Sequence, residues 1–260
     1  MNESLVKYLA GLLDADGSLS LKFRRADNKP ECYYPSLMLT LHSSAAVDKA
    51  GFVESLPEVT GMGTFNRYGT NGRFYRWDVA KSAHLEMLLP RLVKHMCVKA
   101  KHWNWMLELW REIRGAPCSK DEWDNWAVLA KQSRIERVGP LRPKNHPTWA
   151  WLAGYLDGDG YYRHAYLKKK NCWQMQTGAV AHKNDAAVLR FIQNSFGGSI
   201  YEHGQCPEVL TWRRSLGVGD RSFALQFLPN VTKHARLKKH KIDQMIHHHQ
   251  QRLSAPSPKG

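Results

Sequence analysis

A chain of 260 residues with 43% apolar side chains can bury a sizeable core and makes one or two domains. Its 38 Lys and Arg against 23 Asp and Glu leave a formal charge of +15, which excludes an acidic, solvating chain and predicts a polyanionic partner, nucleic acid first. Five cysteines, Cys32, Cys97, Cys118, Cys172 and Cys206, show no C-x-x-C spacing, and nothing ahead of the first helix reads as a signal peptide or long apolar run, so we expect neither zinc ribbon nor disulfide framework nor membrane partner, and an intracellular, reducing compartment.

Leu9 to Gly17 (Leu-Ala-Gly-Leu-Leu-Asp-Ala-Asp-Gly) reads as an apolar helix that ends in two acids and a Gly. Ser18 to Arg25 then alternates as a strand, Leu19, Leu21 and Phe23 on one face and Ser20, Lys22 and Arg24 on the other. A polar turn leads to a second strand over Tyr34 to His42, then a helix over Ala45 to Leu56 that closes at Pro57. Gly63 to Tyr68 and Phe74 to Ala80 form a hairpin around Asn71-Gly72. Helices over Ser82 to Leu92, interrupted by Pro90, and Lys99 to Arg114 end the first half.

The stretch 116–147, with Pro117, Pro140, Pro143 and Pro147 around an amphipathic piece from Asp121 to Ala130, reads as a linker docked by Trp123 and Trp126. It separates a first unit, 1–115, from a second, 148–260. Leu152 to Gly160 (Leu-Ala-Gly-Tyr-Leu-Asp-Gly-Asp-Gly) repeats the opening helix, and the same order follows. Strands over Tyr161 to Lys169 and Trp173 to His182 precede a helix from Asp185 to Phe196. Ser199 to His203 and Val209 to Leu216 form a hairpin with Trp212 in the place of Trp77, and closing helices span Phe223 to Val231 and Leu237 to Gln250. Matching order over both halves predicts an internal duplication.

Ala10 and Gly11, with Ala153 and Gly154, are small where a partner backbone would approach. A Gly inside a helix costs about 1 kcal/mol against Ala, so its use at matching places predicts that the two helices pack on each other. Asp16 and Asp159 would then emerge at one end, repelling each other and the negative helix ends unless a divalent cation joins them. Hard oxygen ligands suit Mg²⁺. One copy alone would equally suit an ordinary core helix with a polar cap; packing does not require Asp-x-Asp-Gly at both ends.

Both nine-residue stretches resemble the signature of the LAGLIDADG homing endonucleases, in the monomeric form with two motifs in one chain. The first copy departs from it only by Leu13, the second by Tyr155, Leu156 and Gly158. The resemblance implies an α/β fold of two pseudo-symmetric αββαββα repeats, with antiparallel sheets forming a DNA-binding saddle around the motif helices. It implies site-specific cleavage of both strands of a long, asymmetric double-stranded DNA target, leaving short 3′ overhangs. Asp16 and Asp159 would be the catalytic metal ligands, helped by the carbonyls of Ala15 and Gly158, while Asp14 and Asp157 tie down the helix ends. Mg²⁺ would be the cofactor, Mn²⁺ a substitute, and Ca²⁺ a cation that binds without supporting cleavage. Lys99 and Lys238 correspond to lysines near the scissile phosphate. His42, with His182 or Lys183, would be the polar residues at the end of each second strand.

The basic residues of the hairpins, Lys22, Arg24, Arg67, Arg73, Arg76, Arg163, Lys168, Arg213 and Arg214, are expected to line a polar sheet face suited to phosphates and base edges in the major groove. Two rival readings use the same scaffold: an intron maturase whose partner is RNA, and a catalytically silent DNA-binding regulator.

Overall fold

The computed structural model describes residues 1–26, 29–48, 51–135, 147–167, 172–183, 186–203, 206–215 and 222–254. Helix α1 (Glu3–Asp16) starts where the Asn2 side chain accepts the Leu5 amide, and β1 (Gly17–Ala26) leaves directly from its C-terminus. There follow β2 (Lys29–Ser44), α2 (Phe52–Thr60), β3 (Thr64–Tyr68), β4 (Phe74–Val79), α3 (Ser82–Val93), α4 (Ala100–Ile113) and α5 (Lys120–Ile135). The second repeat runs α6 (Trp149–Gly158), β5 (Gly160–Leu167), β6 (Cys172–His182), α7 (Ala186–Phe196), β7 (Ser199–His203), β8 (Cys206–Ser215), a π-helical segment Phe223–Phe227, α8 (Leu228–Thr232) and α9 (Lys239–Ser254). No described helix is long and apolar enough to cross a membrane.

Two four-stranded antiparallel sheets result, ordered β1-β2-β4-β3 and β5-β6-β8-β7. Their registers superimpose the repeats residue by residue. Gly17 pairs with Leu41 and Leu41 with Trp77; Gly160 pairs with Ala179 and Ala179 with Trp212. Both tryptophans are fully buried, and their indole N–H groups donate to the carbonyls of Met62 (2.9 Å) and Gly197 (2.8 Å), so a large apolar ring fills each core without an orphan donor.

Helices α1 and α6 pack against each other at the centre. A Cβ on Gly11 would overlap the Trp151 carbonyl oxygen, and one on Gly154 the Tyr8 carbonyl oxygen, so the two glycines let the backbones touch at symmetry-related points.

Three local expectations shift. Helix α2 begins at Phe52 instead of Ala45, because the Asp48 carboxylate takes the amides of Phe52 (2.8 Å) and Val53 (2.7 Å) while Gly51 turns left-handed at φ 67°. It also runs through Pro57 to a left-handed Gly61, and α3 likewise continues past Pro90. In the linker, Cys118 pairs with Tyr33 on the part of β2 that extends beyond β4, and Trp123 packs on Phe23, so α5 is docked on the first repeat. Trp126 is half-buried.

Candidate active site and nucleic-acid interface

The two motif helices are cross-tied by their inner acids. Asp14 accepts from the amides of Cys97 (2.7 Å) and Lys99 (2.8 Å), and from the indole of Trp151 on the opposite helix (2.9 Å). Asp157 accepts from the amides of Arg236 (2.7 Å), Leu237 (2.9 Å) and Lys238 (3.0 Å), and from the Tyr8 hydroxyl of α1 (2.8 Å). Tyr8 and Trp151 are equivalents, three residues before Gly11 and Gly154. Burial pushes both carboxyls above the ordinary range, against the pull of these donors. Each inner acid thus fixes its own helix end, the loop carrying its lysine and the partner helix at once.

The outer acids, Asp16 and Asp159, stand at the C-terminal ends of the two helices. The carboxylate of Asp16 lies against the other helix: a Cβ on Gly158 would stand 3.0 Å from its Oδ2. Burial raises the Asp16 carboxyl, and the charges of Lys238, Lys99 and His42 oppose that rise. Lys238 in turn feels Asp157, Asp16 and Asp159, while its burial lowers its pKa. Asp159 lines a cleft of about 350 Å³ together with Ala15, Lys99, Val180 and His182. Residues of both repeats therefore face one space, and the charge of Lys238 is coupled to both outer carboxylates.

Lys99 and Lys238 are placed differently from simple phosphate contacts. The Lys99 ammonium donates to the carbonyls of Leu13 (3.0 Å), Ala15 (2.8 Å) and Gly17 (2.8 Å); that of Lys238 donates to Leu156 (3.1 Å), Gly158 (2.8 Å) and Gly160 (2.6 Å). Each thereby caps the negative end of a motif helix. The donor set for a cation is two carboxylates and the Ala15 and Gly158 carbonyls, all hard oxygens. Each carbonyl keeps a second lone pair beside its lysine bond, so the set suits a small divalent metal. Among the described residues no group of three or more His, Cys, Asp or Glu could hold a metal, so the remaining ligands would come from water and phosphate.

Strand register decides which basic residues share the sheet face turned away from the helices. Opposed residues in an antiparallel pair point the same way, and Leu41, Trp77, Ala179 and Trp212 point into the core. Lys22, His42, Arg76, Arg163, His182 and Arg213 occupy the outer face by this parity. The side chain of Arg24 and the whole of Lys168 lie outside the described residues.

Arg76 is anchored on the buried Asp78 (2.6 Å), which also takes the hydroxyl of Thr40 (2.9 Å) and the amide of Asn66 (3.2 Å). Arg213 sits over the Tyr201 ring and donates to the Tyr161 hydroxyl (3.3 Å). Arg73 is exposed in the β3–β4 turn.

Three expected contacts face the other way. Arg67 turns to the helix side, where it pairs with Glu54 of α2 (3.0 Å) and covers Tyr75 and Phe65. Arg214 donates to the Phe196 carbonyl and to the Ser222 hydroxyl (3.0 Å) over the Phe227 ring. Lys183 pairs with Glu202 (3.5 Å) beside α7. Each is odd by one residue from the outer-face set, a difference that counting from Trp77 or Trp212 would have revealed. Tyr68, which accepts or donates at His42 Nδ1 (2.9 Å), and the tyrosines under Arg213 carried no signal beyond aromatic content.

The loop before Lys99 offers a chemical check. Burial and the nearby Asp14 push the Cys97 thiol up, and burial does the same for Cys118, whereas Cys206 is exposed. At pH 8, iodoacetamide is expected to modify Cys206 while Cys97 and Cys118 stay intact, read by peptide mass spectrometry. Rapid labelling of Cys97 in the folded protein would mean that the Asp14 anchor is open.

No family model matches the chain, and no curated protein matches it. Solved structures do. The LAGLIDADG homing endonuclease I-GzeII in complex with DNA target is similar at TM-score 0.71 and 12% identity, over 97% of this chain and 93% of that one. I-SmaMI bound to uncleaved DNA target in the presence of calcium ions gives 0.67 and 15%, over 97% and 93%. The LAGLIDADG homing endonuclease I-SmaMI bound to cleaved DNA gives 0.65 and 16%, over 98% and 92%. At these identities the likeness is one of fold, and it spans both repeats.

Proposed function

We infer that this chain, which has the two-repeat fold of the LAGLIDADG homing endonucleases, is a site-specific DNA endonuclease that acts as a monomer and cuts both strands of a long, asymmetric duplex. The observation that carries the reading is the Asp16 carboxylate lying against Gly158, within the field of both Lys99 and Lys238, beneath two sheets with basic outer faces. A role confined to binding DNA or intron RNA leaves this paired acidic floor without a task.

The reaction is hydrolysis: a water oxygen bonds to phosphorus, the bond to the 3′ oxygen breaks, and that oxygen leaves with a proton. Asp16 and Asp159, with the Ala15 and Gly158 carbonyls, would hold divalent metal, Mg²⁺ by the hardness of the set. When bound, the metal supplies Lewis-acid stabilisation of charge developing at the phosphate. The chain's own share is positioning. The inner acids Asp14 and Asp157 lock the helix ends, and the lysine ammoniums offset the charge of the carbonyl ends and the outer acids. Lys22, Arg76, Arg163 and Arg213 on the outer faces present cations to the DNA backbone and base edges.

The test is incubation of supercoiled DNA carrying the joined sequences that flank the gene with protein and Mg²⁺. Double-strand cuts at one site with short 3′ overhangs are expected; binding without cutting under Mg²⁺ and Mn²⁺ would sink the reading. Binding to the same duplex in Ca²⁺ is expected to weaken about a thousandfold between about 50 and about 200 mM salt, as for a protein making several phosphate contacts. A flat salt response would contradict the placement of DNA on the basic faces.

A further inference from the structure

Arg76 and Arg213, on the outer faces of the two sheets, are both held by the protein through Nε. They lie on β4 and β8, which are interior strands, whereas β1 and β5 are edges. Arg76 donates from Nε to Asp78 (2.6 Å), and Asp78 is fixed in turn by the Thr40 hydroxyl (2.9 Å) and the Asn66 amide (3.2 Å). The Asp78 side chain is 10% exposed and that of Arg76 40%, so the outer face presents the guanidinium and hides the acid. Arg213 donates from Nε to the Tyr161 hydroxyl (3.3 Å) and lies over the Tyr201 ring. Tyr161 reaches it across Gly178, where a Cβ would stand 2.6 Å from the Tyr161 ring.

With Nε engaged, the terminal Nη1 and Nη2 groups of each guanidinium remain as a planar fork of donors. Such a fork matches O6 and N7 of guanine, and no other base offers two adjacent acceptors in the major groove. A fork already held by the fold loses less freedom on contact than an arginine free to swing. Place in the sheet favours bases over phosphates. In a sheet laid in the groove, interior strands face the floor of base edges, while the edge strands, with Lys22 and Arg163, face the phosphate walls. The two forks are not equivalent, however. Leu41 with Trp77 matches Ala179 with Trp212, so Arg213 stands where the first repeat has Asp78, and Arg76 where the second has Thr211. Two residues along a strand are roughly 6–7 Å, about two base-pair steps.

We propose that Arg76 and Arg213 are specificity-determining residues, each reading one guanine through O6 and N7, and that the two guanines stand at unequal distances from the centre of the target. This rests on the reading of the outer faces as a surface for duplex DNA given above.

The experiment selects duplexes that the full chain binds in Ca²⁺ from a randomised library, measures affinities by fluorescence anisotropy and locates the centre by the cuts made in Mg²⁺. Selected duplexes are expected to carry a fixed guanine in each half. Replacing either guanine by 7-deazaguanine, which keeps base pairing and lacks N7, should weaken wild-type binding about tenfold. Arg76→Ala should abolish that sensitivity at one position and Arg213→Ala at the other. Each variant should keep the wild-type sensitivity at the remaining position, a result that misfolding cannot give. Arg76→Gln, which retains a donor for Asp78, should lose the same sensitivity as Arg76→Ala. Selected duplexes without a fixed guanine, guanines equidistant from the centre, or alanine variants that weaken every duplex alike, as loss of a phosphate contact does, would overturn the inference. Guanine-bearing duplexes that stay uncut in Mg²⁺ and Mn²⁺ would instead overturn the endonuclease reading and leave the base contacts standing.

Discussion

Gly11→Val and Gly154→Val are each expected to lower folding stability by about 3 kcal/mol or more and to abolish cutting. The atoms that a Cβ would meet at Gly11 are backbone: the Trp151 carbonyl oxygen, its carbon at 2.8 Å and the Tyr155 nitrogen at 3.0 Å. At Gly154 they are the Tyr8 carbonyl oxygen and the Leu12 nitrogen at 2.8 Å. No rotamer change can relieve such overlaps, so α1 and α6 must separate. Separation breaks the Tyr8–Asp157 and Trp151–Asp14 bonds together and draws the two acidic helix ends apart. Activity and stability should therefore fall as one. Urea unfolding measures the first effect and plasmid cutting the second; a wild-type midpoint with full cutting in Gly11→Ala would show that the helices do not touch there.

Lys238→Met is expected to cost about 3 kcal/mol and to slow cutting by two or more orders of magnitude, roughly the range seen on losing one preorganised charge at a reacting centre. Lys238 is buried, and its ammonium serves the carbonyls of Leu156, Gly158 and Gly160, which methionine would leave without a donor. The pH response separates this from a loss of packing. Burial lowers the pKa of Lys238 in the folded chain, against the attraction of Asp157, Asp16 and Asp159. The folded state then binds fewer protons than the unfolded state between that lowered value and the ordinary lysine value of about 10.4. This group's contribution to stability accordingly rises with pH across that window. The rise should be visible in denaturation midpoints measured towards pH 10 and absent from Lys238→Met.

The element order and the paired acids were readable from the sequence because both rest on local pattern: alternation in the strands, Asn71-Gly72 at a turn, and Asp-x-Asp-Gly after an apolar helix. The facing of individual basic residues was not. Arg67 and Arg214 look no different from Arg76 and Arg213 in composition. Their direction depends on strand parity, and a displacement of one residue reverses it. His42 and His182 stand at different register positions, since Leu41 pairs with Gly17 and Ala179 with Gly160, although His182 lines the cleft at Asp159. The lysine contacts depend on loops that the buried Asp14 and Asp157 fold back onto the helix ends, a tertiary event with no sequence period. Helix α2 began late because a side chain, Asp48, competed for its first amides.

The central claim is that Asp16 and Asp159, from different repeats, form one catalytic floor. The most direct measurement compares Asp16→Asn and Asp159→Asn with the wild type on the same supercoiled target in Mg²⁺, with binding followed in Ca²⁺. Each variant should bind the duplex and lose double-strand cutting by about a thousandfold or more. Full-rate double-strand cutting by either single variant would contradict the account.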